Sequence, residues 1–466
     1  MYYCQYDNLC KRDFYEGFGT PEYHANAKME KDDKMMHMQR TYIKDLKAQI
    51  GQEVKIDGFV QTRRDQGGIK FIVLRDVSGI VQGIVMKQAG EVFEQVGALS
   101  LESVVEVFGL VKEQKQAPGG FEVEIKSLTV LSLAEPLPIP VVEEKGGNEV
   151  DTTLRFDYRW IDLRKPEKLK IFKVWTALEK GFRKYFNDHG YIQIYTPSFM
   201  DATSEGGSEF FEVKYFDRSA YLAQSPQFYK QLAQSAGFEK VFMVGPVYRA
   251  EPSFTTRHTT EFTGWDFELS FIESHEGIMK EEESMLVEGF KTVKVEVLPD
   301  LEIPAIPFPR MTMKEAKEKL KKSGIHSERA GDFSPEEERG ICKIVKEETG
   351  HEFVFVTEYG MAERAFYHMR PEGDQTVTKS FDLLYKGVEI TTGAQREHRP
   401  DILKKQAIEK GVPIEPLEGY FSYFRYGCPP HGGAGIGPGR IVMKILDLES
   451  VKDATFLPRD VKRLTP

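Results

Sequence analysis

Cysteine is scarce in this sequence. Among 466 residues there are only four cysteines, at positions 4, 10, 342 and 428. They are too few and too scattered for the disulfide framework of a small secreted domain. Cys4 and Cys10 have no second pair of metal ligands nearby, so we expect no structural zinc. The scarcity of cysteine indicates a reducing, cytoplasmic location.

Long apolar runs and an excess of basic charge are also missing. No stretch approaches the ~18 apolar residues of a membrane-spanning helix, and the first residues show no signal-peptide pattern. The formal net charge of −10 argues against nonspecific coating of nucleic acid. It does not exclude a nucleic-acid partner, because binding depends on local basic patches. The sequence predicts a soluble protein of two or three domains with no membrane partner.

The N-terminal residues 1–40 lack any sustained hydrophobic period. They mix Tyr, Cys, Gly and His with closely spaced charges, a composition that favours disorder or loose packing. We therefore expect a poorly ordered N-terminal extension and assign it no function. An RNA-binding arm is the alternative, but the charge of this segment is nearly balanced.

Residues 41–135 contain five β-prone runs separated by glycine-rich turns, with one short helical stretch between the third and the fourth. This order predicts an OB-fold barrel, a frequent reader of single-stranded nucleic acid. Residues 136–153 are rich in Pro and Gly and form a predicted linker to a second domain over residues 154–466. The five runs are EVKIDGFV, IKFIVLRD, GIVQGIVM, VVEVFGLV and FEVEIKSLTVL.

The second domain is organised around the stretch from Phe242 to Phe271. Two β-prone segments there flank a long polar loop, a pattern typical of an antiparallel hairpin whose loop is functional. Guanidinium groups match phosphate oxygens, so this loop suits a triphosphate, although a solvated charged hairpin remains the alternative. The loop carries Arg249, Glu251, Arg257 and His258.

These residues resemble the second signature motif of class II aminoacyl-tRNA synthetases, through YRAE at Tyr248–Glu251 and the following TTRH and TEFTGWDFE. The third motif of that family is matched by Gly435, Gly437 and Arg440, and the first by a long helix and a strand ending at Pro197. The order and spacing are most similar to aspartyl enzymes of the archaeal and eukaryotic type, over residues 38–466. The resemblance implies an α+β fold, in which the five-stranded barrel precedes a catalytic domain with an antiparallel sheet flanked by helices.

The resemblance also implies the activity and its ATP site. ATP activates L-aspartate as aspartyl-adenylate, and the aspartyl group then passes to the 3′ end of tRNA(Asp). Arg249 and Arg440 would be the catalytic residues, with Glu389 and Thr392 as ligands of Mg²⁺. ATP would contact Arg249, Glu251, Arg257, His258, Glu389, Gly437 and Arg440.

Aspartate would be bound by a second set of residues. Lys230 and Arg396 would meet the side-chain carboxylate, because two cations facing a neutral amide would stay uncompensated. Glu205 and Asp266 would bind the α-ammonium group. Gln227 and Thr392 complete the aspartate set that the resemblance implies.

In the barrel the resemblance implies an anticodon-binding surface. Phe71 matches an aromatic on which a base stacks, with a plain barrel-core residue as the alternative. Gln82 and Glu122 match readers of base edges, with Arg63 as a looser match. Gln61 and Pro118 occupy positions that sense the third anticodon base in discriminating enzymes. Since Pro118 offers no donor, the sequence favours relaxed recognition, with tRNA(Asn) charged as well as tRNA(Asp).

Other readings stay open from the sequence. Asparaginyl enzymes are closely similar, and a tRNA-independent aspartate-adenylating ligase shares the catalytic fold but lacks the barrel. A non-catalytic tRNA-binding relative would keep the barrel and lose a phosphate ligand. The first motif additionally implies a homodimer.

Overall fold

The computed structural model describes residues 38–142, 150–201, 210–252, 255–325, 329 and 331–466. Most of the predicted N-terminal extension and Glu205 lie outside these residues. The chain divides between residues 149 and 150 into two compact units. In the described ranges, no helix combines the length and the apolar character that crossing a membrane would need.

The first unit is a closed five-stranded barrel with strand order β1-β2-β3-β5-β4, which confirms the OB-fold. Its strands alternate between inward and outward residues, as the period of two requires. On β2, for example, Ile72 and Leu74 are buried in the barrel core whereas Phe71 and Val73 are partly exposed. The elements are β1 (Glu53–Asp65), β2 (Ile69–Asp76), β3 (Gly79–Met86), α1 (Glu91–Ala98), β4 (Val104–Glu113) and β5 (Phe121–Ser132).

The second unit combines two sheets with helices. Its first helix begins at Thr152, so residues 152–153 of the predicted linker belong to a helix. The helices are α2 (Thr152–Asp157), α3 (Arg159–Asp162), α4 (Pro166–Asp188), α5 (Gln227–Ser235), α6 (His275–Glu296), α7 (Met313–Lys322), α8 (Pro335–Thr349), α9 (Pro400–Glu409), α10 (Glu418–Arg425) and α11 (Pro438–Ile445).

The strands of this unit form an eight-stranded sheet and a three-stranded sheet. The large sheet has the order β12-β13-β14-β15-β16-β11-β10-β6, and the small one β7-β9-β8. Pairing in the large sheet is antiparallel except at its two edges. There, β12 pairs in parallel with β13, and β6 pairs in parallel with β10. The strands are β6 (Ile192–Gln193), β7 (Phe199–Met200), β8 (Glu212–Tyr215), β9 (Arg218–Leu222), β10 (Lys240–Tyr248), β11 (Glu261–Ser270), β12 (Arg310–Thr312), β13 (Phe353–Thr357), β14 (Ser380–Tyr385), β15 (Val388–Gln395) and β16 (His431–Ile436).

The main core lies between one face of the large sheet and the helices α4, α6 and α11. Strand β11 contributes Trp265, Phe267 and Leu269 to this core, and alternation turns Asp266 and Glu268 to the opposite face. Helices α4 and α6 approach closely, because a Cβ atom at Gly181 would lie 2.6 Å from the Cα of Gly289. The predicted antiparallel sheet with flanking helices is therefore confirmed.

One carboxyl group is buried inside this core without an ion pair among the described residues. Glu282 of α6 is fully buried and packs towards Thr391 of β15. Burial, together with the nearby Glu283 and Asp382, raises the pKa of Glu282 from 4.5 to about 8. The neighbouring Glu283 is different, since it accepts hydrogen bonds from the Phe308 N–H at 2.9 Å and from Arg310 at 3.0 Å.

We predict that Glu282→Gln removes a pH dependence from stability. Because the pKa is higher in the folded state, the wild-type free energy of unfolding is greatest below about pH 4.5, where Glu282 is protonated in both states. It falls as pH rises from 4.5 towards 8, because the unfolded state then ionises and the folded state does not. The variant should therefore gain on the wild type by up to about 1.4 kcal/mol per pH unit over that range. Denaturant unfolding at pH 5 and pH 8 measures it. Glu283→Gln, as a matched control, should destabilise at both values, and equal curves for wild type and Glu282→Gln would contradict the prediction.

Candidate active site

A cavity of about 780 Å³ opens on the large sheet. Strands β10, β11, β15 and β16 contribute to its wall, together with the loop 249–260 and the segment 451–459. Most residues that the sequence placed in the ATP and aspartate sites meet here. These are Arg249, Glu251, Arg257, His258, Asp266, Gln227, Glu389, Thr392, Arg396, Gly437 and Arg440.

A β-bulge brings the two predicted metal ligands to one face. Glu389 and Thr392 are three residues apart, a spacing that would point them to opposite sides of a regular strand. In β15, however, Glu389 pairs with Leu384 while Thr391 pairs with Leu383, so Ile390 is an additional residue. The Thr392 Oγ1 lies 3.4 Å from the Glu389 Oε1 as a result.

Cationic side chains surround this pair. Arg440 donates to the Glu389 carbonyl at 2.7 Å and lies 3.4 Å from its carboxylate. Desolvation by the surrounding protein acts to raise the pKa of Glu389. Arg440 and further arginines lower this pKa more, so the carboxylate stays ionised. Burial lowers the pKa of His258, and although Glu251 opposes this, the nearby guanidinium groups lower it further. The site thus concentrates positive charge on arginines around one carboxylate.

The oxygen ligands offered by Glu389 and Thr392 suit Mg²⁺, which needs few protein ligands, better than a metal ion whose ligands all come from the protein. Within the described ranges, no group of three or more His, Cys, Asp or Glu side chains could hold a metal ion. Mg²⁺ commonly takes one or two carboxylates and completes its shell with phosphate oxygens and water. One partly exposed carboxylate beside a hydroxyl in a cavity wall matches that pattern.

Lys230 does not reach the cavity wall. It is 1% exposed, and its Nζ lies 2.8 Å from the Asp266 Oδ1 and 3.3 Å from the Glu268 Oε2. Glu268, which the sequence reasoning missed, also accepts from the Arg396 Nε at 3.0 Å. Burial acts to raise the pKa of Glu268, but Arg396 and Lys230 lower it more, so the group is ionised.

This arrangement corrects one sequence argument. Two cations were expected to face the substrate without compensation, yet Asp266 and Glu268 together balance Lys230 and Arg396. The positive charges of Lys230 and Arg396 are therefore not enough, by themselves, to identify aspartate as the substrate. The alternation of β11 could have predicted this role for Glu268, because Glu268 follows Asp266 by two residues and shares its face of the strand.

Glycines on β16 make room for these carboxylates. A Cβ atom at Gly433 would lie 2.4 Å from the Glu268 Oε2 and 2.0 Å from a backbone oxygen of β11. At Gly435 it would lie 3.2 Å from the Asp266 Oδ1. The glycine-rich strand therefore sets the depth of the cavity floor through its backbone.

Further cavity residues went unnoticed in the sequence. Arg364 lines the wall and pairs with the buried Asp382 at 2.6 Å. Phe262 lines it as well, with the Arg249 guanidinium 5.6 Å from its ring centre. Arg364 lies in an irregular segment between β13 and β14, where no periodic pattern marks it. Asp382 does alternate with the buried Phe381 and Leu383 on β14, a pattern that could have found it. Phe262 shares the face of Asp266 on β11, since the two are four residues apart.

Of the predicted anticodon residues on the barrel, Arg63 is exposed and Phe71 and Gln82 are partly exposed, whereas Glu122 is buried. Phe71 is partly exposed and is not part of the barrel core, with the Arg64 guanidinium 5.4 Å from its ring centre. The Gln82 Nε2 donates to the Glu122 carboxylate at 2.9 Å. Arg63 instead donates to the Gly97 carbonyl, so Arg64 is the arginine beside these residues.

The two discrimination positions differ in their constraints. Gln61 lies at a bulge of β1 and its amide oxygen accepts from Arg75 at 3.3 Å. Arg75 is itself fixed by Glu102 at 2.7 Å. Pro118 is exposed and opens a short 3₁₀ turn between β4 and β5. The Gln61 amide is therefore held by the protein, whereas Pro118 offers only its ring.

Comparison with known proteins decides the family. A model described as tRNA synthetases class II (D, K and N) matches residues 151–461, and a model of the OB-fold nucleic acid binding domain matches residues 54–131. The chain belongs to the class II aminoacyl-tRNA synthetases. The barrel and the cavity are thus the two functional parts expected of such a synthetase.

Relatives of this synthetase cover nearly the whole chain. An aspartate–tRNA(Asp/Asn) ligase of Methanopyrus kandleri is 42% identical over 89% of this chain and 96% of its own length. An aspartate–tRNA(Asp) ligase of Pyrococcus abyssi is 41% identical over 89% and 97%. The crystal structure of asparaginyl-tRNA synthetase from Pyrococcus horikoshii, complexed with asparaginyl-adenylate, superimposes with a TM-score of 0.85 at 33% identity over 92% and 100%. The fold alone therefore does not determine the amino acid.

We predict that Phe71→Ala weakens tRNA charging and leaves adenylate formation intact. Stacking of a base on an aromatic ring is worth roughly 1–3 kcal/mol, and Phe71 lies outside the core. Aminoacylation kinetics and pyrophosphate exchange measure the two steps. Ile72→Ala is the matched control, because its side chain is in the core and its loss should cost roughly 2–5 kcal/mol of stability. Equal loss of both activities in Phe71→Ala would contradict an RNA contact.

Proposed function

We propose that this synthetase activates L-aspartate with ATP and transfers it to tRNA(Asp) and also to tRNA(Asn). The observation that carries the choice of aspartate is the state of Arg396 in the cavity wall. Its Nε and Nη2 are fixed by Glu268 and by the Gly433 carbonyl, each at 3.0 Å. Its Nη1 has no hydrogen-bond partner among the described residues, and so remains for the substrate.

A fixed guanidinium with one nitrogen still available favours an anionic acceptor. Charge-assisted hydrogen bonds to a carboxylate are roughly twice as strong as neutral ones, and the buried position of Arg396 strengthens them further. Gln227 adds a donor, because its Nε2 is buried in the wall without a partner in the described ranges. The relatives named as aspartate ligases support the same substrate.

Lys230 acts through Asp266 in this proposal. The Lys230 ammonium orients the Asp266 carboxylate at 2.8 Å from behind the cavity wall. Asp266 then presents its other oxygen to the α-ammonium group of the amino acid. Lys230 is therefore a positioning residue, and Arg396 is the residue that meets the substrate side chain. Glu205 remains assigned to the α-ammonium group by the family resemblance alone.

Neither chemical step requires a protein nucleophile. The substrate carboxylate attacks the α-phosphorus and pyrophosphate leaves, after which a ribose hydroxyl of the tRNA attacks the carbonyl carbon of the adenylate and AMP leaves. Positioning and charge neutralisation supply the rate. Arg249 holds the carboxylate against the α-phosphate, with Phe262 beneath its guanidinium. Glu251 contacts adenine, and Gly437 lines the same cavity.

The outer phosphates face two further arginines and a histidine. Arg257, His258 and Arg440 line that part of the cavity. Glu389 and Thr392 would hold Mg²⁺, which neutralises phosphate charge when bound. The low pKa of Glu389 keeps this ligand ionised at neutral pH.

We also propose that the synthetase is a cytoplasmic homodimer. Strand β6 pairs with β10 on one side only within the described residues, so it is an edge of the large sheet. Ile192 on that strand and Tyr195 just after it are 45% and 82% exposed. An apolar edge of this kind is suited to burial against a second copy.

Pyrophosphate exchange tests the amino acid. Aspartate should support ATP–pyrophosphate exchange, asparagine should not, and Arg396→Leu should raise the KM for aspartate about a hundredfold more than that for ATP. Arg399→Leu is the control, since Arg399 is paired with Glu397 outside the cavity wall. Exchange with asparagine would indicate the asparaginyl alternative. AMP release with ammonia and without tRNA would indicate the tRNA-independent ligase, and no exchange at all a regulatory relative.

Charging of two matched transcripts tests the tRNA choice. They carry tRNA(Asp) and tRNA(Asn) anticodons and differ only in the third anticodon base. We expect kcat/KM values within about tenfold of each other, because Pro118 has no donor and the Gln61 amide oxygen already accepts from Arg75. A preference of about a hundredfold, close to 3 kcal/mol, would show that other barrel residues discriminate.

A further inference from the structure

Helix α8 lies outside the three signature motifs, yet it sends one side chain to the ATP site. Glu338 in its first turn is 6% exposed. Its Oε2 accepts from the Arg257 Nη1 at 2.5 Å and from the Glu389 backbone N–H at 3.2 Å. One carboxylate oxygen therefore joins two residues that the proposed function places at the phosphates.

Arg257 depends on this contact for its position. It belongs to the loop 249–260, which has no regular secondary structure in its described part. Arg249 and His258 of the same loop have looser carboxylate partners, at 3.7 Å and 3.6 Å respectively. The Arg257 Nε and Nη2 have no partner among the described residues, so they remain for a phosphate. A charge-assisted bond at one nitrogen thus aims the other two.

The adjacent glutamate has a different task. Glu337 closes the capping box of α8 with Ser334 and pairs with Lys317 at 2.8 Å. It stabilises the start of the helix. Neither glutamate lines the cavity itself. Two consecutive glutamates of PEEER therefore differ in role: Glu337 fixes the helix, and Glu338 contacts Arg257 and Glu389, which line the cavity.

We infer that Glu338 is a positioning residue for ATP, which holds Arg257 against the outer phosphates and ties it to the backbone of Glu389. This inference rests on the proposed function. Because Arg257 and Glu389 share one carboxylate oxygen, the arginine and the predicted Mg²⁺ ligand are set at a fixed separation. Binding of ATP then needs less ordering of the loop.

A double-mutant cycle tests the inference. Glu338→Gln keeps the shape and removes the charge, and it should raise the KM for ATP about tenfold in pyrophosphate exchange. The kcat and the KM for aspartate should change by less than about threefold. In an Arg257→Ala background, Glu338→Gln should change the KM for ATP by less than about twofold, because its partner is already absent.

Two further variants separate positioning from folding. Glu338→Asp keeps the charge but withdraws it by one methylene, so it should raise the KM for ATP in the same way. Glu337→Gln should lower the melting temperature and leave that KM unchanged. A KM for ATP near the wild-type value in either folded Glu338 variant would overturn the inference. A lower KM for ATP in either variant would also overturn it. The same holds if Glu338→Gln and Arg257→Ala raise the KM for ATP independently, so that the double variant shows the product of the two single effects.

The same variants keep this inference separate from the proposed function. Absence of aspartate-dependent exchange in the wild type would contradict the function. Calorimetric binding of Mg·ATP would then test Glu338 on its own, with about a tenfold weaker Kd expected for Glu338→Gln. Unchanged binding would overturn the role of Glu338.

Discussion

The active site depends on ionised groups that are held inside the protein, where each charge needs a partner. Lys230, Arg396, Asp266 and Glu268 are all nearly inaccessible to solvent and together balance. Removing one member would leave an uncompensated buried charge, a change that commonly costs about 3–5 kcal/mol. The cavity walls around these groups are built so that each charge meets its partner.

The secondary structure of β11 makes this balance feasible. One face of that strand packs Trp265, Phe267 and Leu269 into the core, and the other carries the two carboxylates. Strand β16 lies beside it and contributes backbone with almost no side chain there. Hydrophobic packing on one face therefore fixes the positions of charged groups on the other. Stability and substrate recognition share a single strand.

Much of this could be predicted from the sequence, because motifs report local chemistry well. The barrel, the antiparallel sheet and most cavity residues follow from strand periods and from the three motifs. Glu338 could not be predicted, since it lies on a helix far along the chain and meets Arg257 only after folding. The buried position of Lys230 also escaped, because a lysine on a helix start carries no sign of its depth. Arg63 and Arg64 differ only in the face of β1 that each side chain takes.

The bulge at Ile390 determines how the site would respond to the loss of one residue from β15. Losing one residue there would restore a regular ladder between β14 and β15. Glu389 and Thr392 would then lie two residues apart and would still share a face, since facing alternates with every residue. Ile390 itself packs in the hydrophobic core, so its loss would remove buried apolar surface. We therefore expect a deletion there to lower stability more than it changes the facing of the two predicted Mg²⁺ ligands.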